Sequence, residues 1–264
     1  MARAGGDTGA QTYAELERRA REDPAILAFW LGGSRGMGRP TQWSDWDIGL
    51  IIADNAYEKF CAEIGLAEGF QADWRPGVDL SARTFPQFEA FADWNSDERG
   101  YRYTFAHLKA LIDKTGRAQP LIDAKARVPA EAVTSFIHAS LDHALNQAYR
   151  ALKCLRDGDP LASRVEAAEG LNPFLDAVFA LHDGRLRPYA KYLAWELTVH
   201  PLARLPMTPV DLLARIDAVL TPSGHGALSL LLADCEPALR AAGHGAAFDG
   251  WGDTLAWILS GDAA

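Results

Sequence analysis

The run Asp45-Trp46-Asp47-Ile48-Gly49-Leu50-Ile51-Ile52 constrains this chain more than any other stretch. Its apolar and β-branched content, bounded by polar segments, predicts a largely buried strand. Side chains alternate along a strand, so Asp45 and Asp47 point to one side and Trp46 to the other. Two carboxylates placed side by side repel unless a cation lies between them. Hard oxygen ligands without a nearby His or Cys suit Mg²⁺, which binds one or two carboxylates together with substrate phosphates. Upstream, Ala25 to Leu31 predicts a second strand. Gly32 and Gly33 at its end remove side chains where a backbone can approach phosphate oxygens, and Ser34 adds a hydroxyl there.

The order of these parts is a strand, Gly32-Gly33-Ser34, a short loop, Ser44-Asp45-Trp46-Asp47 and a hydrophobic strand. It resembles the signature of the nucleotidyltransferase superfamily that includes DNA polymerase beta. Within it the chain most resembles the bacterial small-molecule branch, the aminoglycoside and lincosamide adenylyltransferases and the minimal nucleotidyltransferases. The resemblance implies an α+β fold, with a nucleotidyltransferase-type mixed β-sheet flanked by helices. It makes Asp45 and Asp47 metal-binding aspartates and calls for a third carboxylate on a neighbouring strand. Two Mg²⁺ ions and a nucleoside triphosphate, ATP or another, are the implied cofactor and co-substrate, with Gly32, Gly33 and Ser34 against the phosphates. Asp79, between Val78 and Leu80, looks like an acid directed from a buried strand into a site. Asp73, just before the turn signal Arg75-Pro76-Gly77, is the other candidate and the less favoured one. Further on, Arg187-Pro-Tyr-Ala-Lys191-Tyr192 resembles the helical-domain segment in which a lysine reaches the triphosphate. A surface lysine on a partly buried helix accounts for Lys191 equally well.

Composition narrows the partners. The chain has 264 residues, 48% of them hydrophobic, enough for one large or two modest domains. A net charge of -9 argues against a nucleic-acid partner, since such proteins carry a basic face, and tolerates a cationic small molecule. The three cysteines, Cys61, Cys154 and Cys235, form no Cys-x-x-Cys pair, which fits a reducing, cytoplasmic setting without zinc. The Gly- and Ala-rich first ten residues read as a loose terminus rather than a signal peptide, and no apolar run is long enough to span a membrane.

In chain order, the spacing predicts helices over 11–22 and 55–64, and a strand at Ala110 to Asp113 followed by a Lys-Thr-Gly-Arg turn and a further short strand. Asp113 reads as a turn residue. Near Pro129 the texture becomes helical. Apolar residues from Val133 to Leu155 recur at helical spacing, Asp159-Pro160 starts a second helix, and Asn172-Pro173 should kink or break it. Further helices are expected over about 189–199, 212–220, 227–242 and 254–259. His138 and His143 are five residues apart and share no helix face for a metal. The expected organisation is a nucleotidyltransferase catalytic domain over residues 11–128 and a helical bundle domain over 129–264. The expected activity is transfer of a nucleoside monophosphate to a hydroxyl of a small molecule, by family analogy an aminoglycoside-type antibiotic, with release of pyrophosphate. The alternatives are an enzyme acting on a protein or RNA end, and a non-catalytic, antitoxin-like protein that works with a protein partner.

Overall fold

The computed structural model describes residues 6–67, 69–221, 224 and 226–263. The chain divides into two compact units, Met1–Arg127 and Val128–Ala264.

The described residues of the first unit form a five-stranded mixed sheet. Helix α1 (Gly6–Glu22) leads into β1 (Ile26–Leu31), a single helical turn α2 (Gly33–Gly36) and β2 (Trp46–Ile52). Then come α3 (Tyr57–Ile64), the hairpin of β3 (Phe70–Arg75) and β4 (Val78–Arg83), α4 (Phe85–Ala90), β5 (Ala110–Asp113) and α5 (Ala118–Lys125). The strand order is β3-β4-β2-β1-β5, and β2 and β4 run parallel while the other pairs are antiparallel.

Strand alternation sorts the residues into two cores. Ile48, Leu50 and Ile52 of β2 join Val78, Leu80 and Ala82 of β4 on the face covered by Leu16 and Ala20 of α1 and Phe60 and Ile64 of α3. The opposite face carries Trp30, Ile51, Phe85, Phe88 and Phe105. Gly49 is required on that face, because a Cβ there would collide with the indole of Trp30. Asp47 and Asp79 belong to this second face, at the end where the apolar side chains give way.

Several expectations are corrected here. Helix α1 begins at Gly6, so the described part of the first ten residues is helical; residues 1–5 lie outside the described residues. The segment after Lys114-Thr-Gly-Arg117 is the helix α5, not a strand. Asp113 and Gln119 explain the difference. The Asp113 carboxylate accepts the Gln119 N–H at 3.0 Å in the first turn of α5, while the Gln119 side chain accepts the Ala110 N–H at 2.7 Å. The first residues of the loop after Gly32 form the turn α2.

Two buried cations fasten this unit. Arg102 donates to the carbonyls of Ala92, Ala124 and Arg127 at 3.0, 2.6 and 2.8 Å. Lys125 donates to those of Glu89 and Phe91 at 3.0 and 2.6 Å. Burial lowers the pKa of both groups, since carbonyl oxygens replace only part of the lost hydration.

The second unit is helical. Helix α6 (Val133–Arg156) packs along α7 (Pro160–Ala180), followed by α8 (Leu193–Val199), α9 (Pro209–Leu220), α10 (Ala227–Leu239), α11 (Ala246–Asp249) and α12 (Thr254–Ser260). Asp159 caps α7 through the Ala162 N–H at 2.9 Å. Helix α7 runs through Pro173 rather than breaking there. The buried apolar neighbours Leu171, Phe174 and Leu175 hold the turn around Pro173 in place, so packing overrides the lost N–H. The helix expected over 189–199 is a 3₁₀ turn, Ala190–Tyr192, joined to α8, and the one expected to reach 242 gives way after Leu239 to a segment kinked at Gly243, which has a φ of 93°.

Candidate active site

The site forms where β1 ends and β2 begins. After Leu31 the chain makes a sharp turn: the Gly32 N–H donates to the Asp47 carbonyl at 2.7 Å, and Gly33 sits at φ +56°, in the left-handed region that favours glycine. A Cβ on Gly33 would strike the Asp47 carboxylate, lying 2.6 Å from its Cγ. The glycine therefore makes room for that carboxylate against the backbone. This is a close approach that the motif's glycine pair foreshadows.

The loop from Ser34 to Asp45 is held by its own polar groups. The Ser34 hydroxyl bonds to the Ser44 hydroxyl at 2.7 Å, and the Ser44 hydroxyl also accepts the Thr41 N–H at 2.9 Å. Arg35 donates from Nε to the Asp45 carbonyl at 2.9 Å and from Nη2 to the Ser44 carbonyl at 2.8 Å. Its guanidinium lies 4.4 Å from the centre of the Trp46 ring, which is stacked with Tyr13 of α1 at 4.7 Å.

Strand β4 supplies the second carboxylate. In the parallel pairing of β2 with β4, Asp47 is the register partner of Asp79, followed by Ile48 with Leu80 and Gly49 with Ser81. Register partners on adjacent strands present their side chains to the same face, so the two acids are neighbours across strands about 4.8 Å apart. Asp79 is steadied by the Asp73 N–H, which donates to its Oδ1 at 2.8 Å. Asp73 adopts a positive φ of 48° on the exposed side of β3 and contributes its backbone to this arrangement.

Asp45 stands one residue ahead of β2. Strand alternation no longer dictates its side there, and its carbonyl is drawn to Arg35. Among the described residues, no group of three or more His, Cys, Asp or Glu side chains is placed to hold a metal ion. The pair that the fold brings side by side is Asp47 with Asp79. Lys191 belongs to the second unit, where it is exposed with its ammonium 4.9 Å from the Tyr192 ring centre.

Sequence reasoning missed part of the supporting structure. Arg35, a loop arginine with no assigned part in the motif, is committed to two carbonyls. The only sign of that in the sequence is its place one residue after the Gly-Gly-Ser turn.

The sequence matches no family model and no curated protein. Among solved structures the chain is similar to a nucleotidyltransferase-like protein from Exiguobacterium sibiricum 255-15, with a TM-score of 0.44 at 10% identity over 91% of this chain and 78% of that one.

Proposed function

We propose that the first unit is a nucleotidyltransferase that transfers a nucleoside monophosphate, AMP from ATP, to a hydroxyl of a small molecule and releases pyrophosphate. The observation that carries the reading is the in-register Asp47–Asp79 pair beside a glycine that leaves no room for a side chain against Asp47. Two neighbouring carboxylates fit a magnesium ion completed by phosphate oxygens and water. The second ion of the family pattern would need Asp45 as well. When bound, the metal would neutralise triphosphate charge and favour in-line attack at the α-phosphorus.

The chain's own residues do the rest. Gly32 and Gly33 expose backbone beside the carboxylate pair, and Ser34, its hydroxyl donated to Ser44, adds its backbone to the same cradle for the β- and γ-phosphates. Asp79, oriented by the Asp73 N–H, aligns the attacking hydroxyl and accepts its proton as the new bond forms. An ordinary carboxylate is a weak base at neutral pH, so its part is chiefly orientation.

An acceptor of the cationic, polyhydroxylated kind, such as an aminoglycoside, suits the acidic chain. The Mg²⁺-dependent binding of the four common nucleoside triphosphates to wild type and Asp47→Asn, measured by calorimetry, tests the reading. Binding of ATP that needs Mg²⁺ and is lost in the variant supports it. No binding of any triphosphate, together with a protein that co-purifies with the chain, would favour the partner-binding alternative.

A further inference from the structure

We propose that Arg35 is a positioning residue, which sets the distance between the Gly32-Gly33-Ser34 turn and the Asp45–Asp47 segment and ties both to helix α1. The proposal rests on the nucleotidyl-transfer reading of the same turn, and it assigns Arg35 a role other than binding phosphate.

Three observations carry it. The guanidinium spends its Nε and Nη2 donors on the successive carbonyls of Asp45 and Ser44, which fixes the two peptides that lead into β2. A planar fork matches two oxygens at once, which a lysine ammonium does not. The peptide is held from its other side as well, because the Ser44 hydroxyl bonds to Ser34. The turn and the acidic segment are therefore clamped at one point. Finally, the guanidinium lies over Trp46, and Trp46 is backed by α1: Tyr13 stacks on it, and a Cβ on Gly9 would come within 2.6 Å of its Cδ1. Two carbonyl oxygens and an aromatic face, rather than a carboxylate, receive the Arg35 charge. The Nε–Nη2 edge, one of the two that could grip a phosphate in a bidentate manner, is already occupied by the chain itself.

Loss of this clamp frees the Ser44–Asp45 peptides while leaving the sheet in place. The carboxylates then meet a metal in the wrong register with the turn. Residues that orient metal ligands at one remove typically contribute about 10- to 100-fold in metal affinity.

The test uses Arg35→Ala and Arg35→Lys in the full chain, with calorimetric titration of ATP in Mg²⁺ and in EDTA, and amide hydrogen exchange without nucleotide. We expect Arg35→Ala to weaken ATP binding in Mg²⁺ by about 10- to 100-fold, to leave metal-free ATP binding unchanged, and to speed exchange over residues 41–47 but not over α3. Arg35→Lys keeps the charge without the fork and should behave like the alanine variant. Equal loss of ATP binding with and without Mg²⁺, or full rescue by lysine, would overturn the proposal and make Arg35 a phosphate contact. Unchanged exchange over 41–47 would overturn it as well. A wild type that binds no ATP in either condition would instead sink the nucleotide reading, and the exchange data would then show separately whether Arg35 holds the loop.

Discussion

At the scale of single residues, two glycines decide whether the site can exist. Gly33 combines a positive φ with a carboxylate where its side chain would be. Gly33→Ala therefore adds left-handed strain of about 1–2 kcal/mol to a collision with Asp47. Metal-dependent ATP binding should be lost in this variant while most of the folding free energy survives, as titration and urea unfolding on the same sample will show. Gly49 lies deeper, under the Trp30 ring. Gly49→Ala should destabilise by about 1–3 kcal/mol, the cost of overpacking a core that cannot yield, and a urea midpoint equal to wild type would contradict the packing described. The preference for Asp79 over Asp73 also belongs to this scale. Flanking apolar residues marked Asp79 as inward-facing in the sequence, and the sheet sets it in register with Asp47. The Asp73→Asn side chain is exposed and its backbone N–H is retained, so this change should affect ATP binding less than Asp79→Asn.

Among the elements, caps and local side-chain bonds explain where prediction by periodicity held and where it failed. Helix α4 begins with a capping box, in which the Thr84 side chain accepts the Gln87 N–H and the Gln87 side chain accepts the Thr84 N–H. Thr84→Ala should therefore cost about 1 kcal/mol, measurable as a shift of the thermal midpoint. Strands β1, β2 and β5 and helices α6 and α7 were readable because each carries a long apolar period or a strong punctuating pair such as Asp159-Pro160. Helix α5 was misread as a strand because its identity lies in the Asp113–Gln119–Ala110 bonds, which join residues that periodicity does not connect. The break that was one outcome expected at Pro173 is absent for the opposite reason, since burial among the α7 side chains overrides a local rule.

For the whole molecule, two buried histidines in the second unit predict how stability depends on pH. His182 donates from Nδ1 to the Val178 carbonyl at 2.7 Å and accepts the Arg204 N–H on Nε2 at 2.9 Å, which specifies the neutral ring. Burial is the main cause of its lowered pKa. His244 faces His138 edge-on at 5.4 Å, and its pKa is lowered first by burial and then by the charge of His138. The unfolded chain takes up these protons near the ordinary value of about 6.5, whereas the folded rings resist until lower pH. Their contribution is therefore complete above pH ~6.5 and is lost as the pH falls through the folded values. The thermal midpoint should drop on acidification below about 6.5, and His182→Gln should flatten that part of the curve. An unchanged slope in the variant would show that other groups govern it.

The sequence by itself determined the central strands and which of their faces is apolar, because an alternating or helical period is a local property of the chain. It also placed the Gly-Gly-Ser turn at the mouth of the acidic strand, since both lie within one contiguous stretch. Only the tertiary structure decided that Asp47 has Asp79 as its neighbour, that Asp45 falls short of the strand, and that Arg35 closes the loop. Each of these depends on register or on partners far along the chain, and the period of a single strand carries no record of which strand lies beside it.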